Sequence, residues 1–141
     1  MRLICAALAV LAVSGCSSYR AAADKVAPVP ADRLLGYQAP LDNAGQIVVN
    51  RDLGMLGGGC YVAVLIDRQV VARIGTGEVV RFTVPTGRRV VGIGVDSQDT
   101  TLCSQGRLNQ FMTVQLDPGQ TQSFRIVSES KNGFILEQDP R

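Results

Sequence analysis

The sequence contains no histidine. That absence removes the usual general base near neutral pH and the commonest metal ligand, so histidine-dependent serine and cysteine hydrolases are excluded. One sign of charge is not in surplus either: 14 Lys+Arg against 12 Asp+Glu give a net charge of +2, and neither sign clusters. Without a basic footprint, no nucleic-acid partner is expected. The first apolar run, Leu3 to Val13, falls short of the ~20 residues that a transmembrane helix needs. Cysteines never occur as Cys-x-x-Cys, the proximity that tunes catalytic thiols, and two cysteines without histidine make a poor metal site. The run Gly57-Gly58-Gly59 lacks the Lys-Ser/Thr and following helix of a phosphate loop, so it reads as a flexible connector. No cofactor, metal or small-molecule ligand is therefore expected.

What is present bounds the architecture. At 141 residues and 15.0 kDa, with 46% hydrophobic residues, the chain holds one compact domain with a core and not two. Arg2 supplies a positive start, Leu3 to Val13 runs apolar without a charge, and Ser14-Gly15 are small. This order is that of a secretory signal. Val13-Ser14-Gly15-Cys16 resembles the lipobox of bacterial lipoproteins. The resemblance implies that the Cys16 thiol receives a diacylglycerol and that cleavage follows just before it. Each buried methylene adds ~0.8 kcal/mol and one chain holds only marginally, so several palmitate-like chains on Cys16 make the attachment lasting. Ser17 stands where lipoproteins kept at the inner membrane typically carry Asp, which implies the periplasmic face of an outer membrane. Cys5, inside the apolar run, reads as a small hydrophobe.

From Ser17 to Asp32 the chain is rich in Ser, Ala and Pro, with Pro28 and Pro30 favouring an extended path. We expect a flexible tether that contributes nothing to a core and holds the domain clear of the lipid headgroups. Arg33 to Tyr37 is the first apolar cluster after the signal and is expected to pack onto the domain as a short turn or helix, and Asp42-Asn43-Ala44-Gly45 reads as a turn.

Short β-rich runs then recur with turn residues between them. Cys60 to Ile66 is apolar on both faces, as in a covered central strand. In Val79 to Val84, Val80, Phe82 and Val84 point one way and Arg81 and Thr83 the other. Arg88 to Val95 turns Val91, Ile93 and Val95 inward and carries Gly92 and Gly94 on its other side. Paired glycines there mark either a bend at a sandwich corner or a close approach by another group, and the bend is the ordinary reading. Met112, Val114 and Leu116 share one face, Asp117-Pro118-Gly119-Gln120 turns the chain, and Phe124 and Ile126 point inward on the return. Phe134 and Leu136 close the core edge. The expected fold is all-β, a two-layer antiparallel β-sandwich of about seven to eight strands preceded by a signal peptide and flexible tether. Its boundaries are 1–15 for the signal peptide, 16–45 for the lipidated tether and lead-in segment, and 46–141 for the sandwich.

Val49-Asn50-Arg51-Asp52, the glycine run before Cys60, Ile66-Asp67-Arg68-Gln69-Val70-Val71-Ala72, Gly77-Glu78, Pro85-Thr86-Gly87 and Leu116-Asp117-Pro118-Gly119 follow one another in a recognisable order. That order resembles small bacterial lipoproteins built on a domain of unknown function related to PEGA-like and transthyretin-like β-sandwiches. Arg68 stands where the pattern has glycine. These are turn and strand signatures over about half of the chain, and they carry no catalytic residue across.

Cys60 and Cys103 are the cysteines left to the domain once the signal is removed and Cys16 is acylated. An oxidising periplasm favours a disulfide between them, with buried free thiols as the alternative. Asp96 and Asp99 with Ser97 and Thr100 offer oxygens but lack the glycine and terminal glutamate of a calcium loop, and a solvated loop is the ordinary reading. Arg88 and Arg89 read as an exposed strand end, and no second carboxylate is placed beside Glu78. The expectation is a non-enzymatic, lipid-anchored module that contacts membrane lipid through acylated Cys16 and an envelope protein through a sheet edge. Two alternatives stand beside it: an accessory lipoprotein subunit of a secretion or conjugation assembly, and a thiol or carboxylate enzyme.

Overall fold

In a computed structural model, residues 17–54, 59–100 and 107–140 are described. The expected signal peptide, Cys16 and Cys103 lie outside them. Strands form where β-branched and aromatic residues alternate with polar ones: β1 Ala27–Pro28, β2 Ala44–Arg51, β3 Val62–Ile66, β4 Gln69–Ile74, β5 Glu78–Pro85, β6 Gly87–Val95, β7 Asn109–Leu116, β8 Thr121–Glu129 and β9 Gly133–Asp139. They make two open sheets, one in the order β1-β5-β2-β8-β9 and one in the order β4-β3-β6-β7. The all-β sandwich expected from the sequence is what forms. Among the described residues, eight strands, β2 to β9, belong to the stretch expected to carry seven or eight.

The inward positions follow the alternation. Val80, Phe82 and Val84 of β5, Ile47 and Val49 of β2, and Phe124 and Ile126 of β8 meet Val62, Val64 and Ile66 of β3, Val91 and Ile93 of β6, and Val114 and Leu116 of β7 in one cluster. Burial of these side chains supplies the driving force, at about 25 cal/mol per Å² of apolar surface. β3 is a central strand, as its two apolar faces imply.

Three features differ from the sequence reading. The second sheet is antiparallel throughout, but the first is not, because β2 pairs in parallel with β8 and β1 in parallel with β5. Hairpin signals report only chain-adjacent pairing, and β2 and β8 are far apart in sequence. Gly92 and Gly94 make no corner: β6 keeps continuous register with β3 and with β7. Gly92 instead leaves room for a neighbour, since a Cβ there would collide with the Phe111 ring and lie 2.8 Å from the Gln110 carbonyl oxygen.

The third difference is the expected tether, which packs on the sandwich. Ser18 N–H donates to the Ser128 carbonyl, and Tyr19 exchanges two backbone hydrogen bonds with Leu53. β1 pairs with the edge of β5, and Val29 is buried in the core. After a 3-10 turn at Ala31–Arg33, Leu35 N–H donates to the Val71 carbonyl and the Tyr37 carbonyl accepts from Thr83 N–H. The polar composition misleads because the bonds come from unpaired backbone on two sheet edges, which needs no apolar side chain.

Candidate interaction surfaces

The ends of β2, β4, β6 and β8 and the starts of β3, β5, β7 and β9 share one end of the sandwich, together with Ser17, which bridges Glu129. This proximal pole is held by arginines. Arg51, at the end of β2, is 4% exposed and turns inward, donating from Nη1 to the carbonyls of Cys60 and Ile74 at 2.5 and 2.8 Å, with Phe134 4.8 Å from its guanidinium. Burial pulls its pKa down to about 10, against the opposing charge of Glu78. Glu78 in turn accepts from Arg33 Nη1 and Nη2 at 2.7 and 2.5 Å and from Gly75 N–H at 2.6 Å. Arg73 forms a bidentate pair with Asp96 at 2.9 and 2.7 Å. The guanidinium carbons of Arg33 and Arg73 lie 4.3 and 5.0 Å from the centre of the Tyr61 ring. Cation–π contacts of this kind contribute about 0.5–1 kcal/mol each when exposed.

A second set covers the outer face of the five-stranded sheet. Arg125 on β8 is bidentate to Asp52 at 2.7 Å, and Asp52 also accepts from Ser18 Oγ at 2.7 Å. Arg20 reaches Asp139 near the end of β9 at 2.6 and 3.2 Å. These pairs fasten residues 18–20 to the sheet.

These four carboxylates, Glu78, Asp96, Asp52 and Asp139, are thus committed to guanidinium groups. The Arg73 hydrogen bonds, against burial, hold Asp96 below the usual carboxylate range. Burial pushes Glu78 and Asp67 up, yet their hydrogen bonds outweigh it and both end below that range. Groups held ionised against arginine are poor proton donors near neutral pH. Asp96 is buried and bound to Arg73 and to Gln98 N–H rather than solvated, and Asp99 N–H donates to its carbonyl. Arg88 is exposed, while Arg89 pairs with Asp67 at 2.7 Å. Cys60 is disulfide-bonded, and its expected partner Cys103 lies outside the described residues.

A cleft of about 320 Å³ opens at the proximal pole between β3, β6 and the β8–β9 turn, lined by Tyr61, Val95, Arg107, Leu108, Asn132 and Phe134 among others.

Sheet edges are the other surface with unspent chemistry. Residues 27–38 cover the edges of β5 and β4. The edge of β9 is met by the Gln110 side chain, which donates to the Phe134 carbonyl at 2.5 Å and accepts from Leu136 N–H at 2.9 Å. β7 is different. Val90 spends its N–H and carbonyl on Asp67, toward the β3 side. Antiparallel alternation then directs Arg89 and Val91 at Val114 and Met112, so Phe111 and Thr113 turn their backbone groups away from β6. Below them Gln110 bridges to β9, and above them the Gln115 carbonyl accepts from Gln122 Nε2 at 3.2 Å. The result is a short open window on an eight-residue strand without charge, proline or glycine. The strong turn at Asp117-Pro118-Gly119-Gln120 makes β7 and β8 read as a hairpin in the sequence, but they lie in different sheets. β8 pairs with β2 and β9, while β7 pairs with β6 and ends its sheet as an edge. A turn signal does not encode the remote pairing of β8 with β2.

Comparison with family models, with curated proteins and with solved structures finds no match for this chain.

Proposed function

We propose that this protein is a lipid-anchored lipoprotein of the periplasmic face of an outer membrane, and that its β-sandwich is a non-enzymatic module that binds an envelope protein by strand addition. The anchor reading rests on the lipobox-like Val13-Ser14-Gly15-Cys16. The binding reading is carried by one observation: of the four sheet edges, β7 alone among the described residues keeps an uncharged stretch with backbone groups directed away from the sheet, at Phe111 and Thr113. Natural edges are blunted by charge, proline or covering segments: those of β4 and β5 are covered, and β9 carries Glu137 and Asp139 and is met by the Gln110 side chain. A partner strand laid there gains main-chain hydrogen bonds, with specificity from alternate side chains. The commitment of Glu78, Asp96, Asp52, Asp67 and Asp139 to arginines supports a role other than acid–base chemistry. Disulfide pairing of Cys60 with Cys103 fits the same exported setting.

The test is cross-linking and affinity recovery from intact cells, comparing wild type with Thr113→Pro. Proline removes the outward N–H at position 113 without touching the β6 ladder, so the fold persists and the recovered partner is lost. Equal recovery with the variant refutes the edge reading. Labelled fatty acid is expected in the wild type and absent in Cys16→Ala; label that persists in the variant refutes the anchor.

A further inference from the structure

Resting on the acylation of Cys16, we propose that the anchored domain lies directly on the bilayer, with its proximal pole in the phospholipid headgroup layer. Ser17 is bridged to Glu129 and Ser18 is hydrogen-bonded in both directions to Ser128. Consecutive Cα atoms are about 3.8 Å apart, so Cys16 has one peptide link, not a tether, between its acyl chains and the folded domain. The pole that carries Ser17 must then face the lipid.

The chemistry of that pole suits the position. Of the three tyrosines, the two that are exposed, Tyr19 at 63% and Tyr61 at 41%, stand there, beside Leu53 and ahead of β3. Tyrosine combines an apolar ring with a polar tip and favours membrane interfaces. Lys131 in the β8–β9 turn and Arg107 at the cleft mouth are exposed cations within reach of lipid phosphates. The acids of this pole include Glu78 and Asp96, paired with Arg33 and Arg73, and Glu129 and Asp99; Glu129 accepts from Asn132 Nδ2 at 3.0 Å. The opposite pole, with the β7–β8 turn, stands about 30 Å away along strands of up to nine residues, beyond the headgroups.

The chain has no tryptophan, so one introduced indole is an unambiguous reporter. Lipidated full-length Asn132→Trp and Asp117→Trp are reconstituted in phosphatidylethanolamine–phosphatidylglycerol vesicles that carry a headgroup-proximal quencher lipid, with Ser130→Trp as a second proximal probe. The expected result is severalfold stronger quenching at positions 132 and 130 than at 117, reduced when Lys131 and Arg107 are both replaced by glutamate. Vesicle-bound protein with equal quenching at the two poles, or with none at either, overturns the orientation and leaves the anchor standing. Wild-type protein that fails to float with the vesicles overturns the anchor, and the orientation with it.

Discussion

Replacing Glu78 by glutamine tests whether the N-terminal segment is part of the fold or merely rests on it. The Arg33 and Glu78 side chains are only 9% and 14% exposed, and the carboxylate takes three hydrogen bonds. Glutamine keeps the shape but removes the charge, leaving the Arg33 guanidinium against Tyr61 without its counter-ion. Losing one partner of a fully buried pair costs about 3–5 kcal/mol, and a charge-assisted hydrogen bond contributes about 1.5–3 kcal/mol. At the rim of a pole, the expected loss is about 2–3 kcal/mol in urea unfolding at pH 7. The pH dependence gives a second readout. The folded Glu78 pKa is lowered, below an unfolded value near 4.3. Its contribution is therefore fully present above the unfolded value and lost as pH falls through the folded one, so the gap between wild type and variant closes on acidification. A cycle with Arg33→Met isolates the pair from the Gly75 contact. A loss below about 0.5 kcal/mol, the range of an exposed pair, or a gap unchanged from pH 7 to pH 3, refutes this reasoning.

Arg68 holds a left-handed backbone, φ 66°, beside Asp67 at φ 49°, in the two-residue turn between β3 and β4. Left-handed backbone costs a non-glycine residue about 1–2 kcal/mol, so Arg68→Gly is expected to be about 1 kcal/mol more stable than Arg68→Ala, both having lost the stack on Phe111 at 4.6 Å. Chemical unfolding decides it; alanine equal to glycine refutes the turn argument. Cys60→Ser and Cys103→Ser are each expected to destabilise by roughly 4 kcal/mol, with the double variant no worse than either single one. Additive losses instead indicate that the two cysteines are not bonded to each other.

Strand positions were legible because alternation is local: Val80-Arg81-Phe82-Thr83-Val84 states its own buried face. Sheet order was not. The pairing of Val48 with Ser123 joins residues in different halves of the chain, and no turn signal encodes it. The ion pairs were hidden for the same reason. Partners lie 119, 45, 23, 22 and 73 positions apart, far outside the three- and four-residue spacings from which charge pairs are read in a sequence. Asp67 shows the limit from the other side. Without glycine the turn looks weak, yet its carboxylate accepts Val90 N–H at 3.0 Å and Arg89 Nη1 at 2.7 Å, contacts that offset a backbone the local sequence disfavours.

The segment from Ser17 to Gln38 carries the larger lesson. Read for apolar content, its part from Ser17 to Asp32 contributes no core, and Val29 is the one residue of that part in the buried cluster, while Leu34 and Tyr37 of the apolar cluster after it pack against the core. Open sheets, however, have a second requirement: edge backbone must be paired, covered or blunted. β5 gives its edge to Ala27, Val29 and Tyr37, and β4 gives the Val71 carbonyl to Leu35. That contact falls where the β3–β4 register shifts and brings the consecutive residues Val71 and Ala72 both into the core. A polar segment with short extended pieces and two arginines is suited to this task, since its backbone bonds to the edges while Arg20 and Arg33 reach Asp139 and Glu78. Closing two edges with residues 17–38 leaves the β7 edge, among the described residues, without a covering segment. If the proposed strand addition holds, the expected place for the added strand is Phe111–Thr113, on the side of the sandwich away from the covering segment.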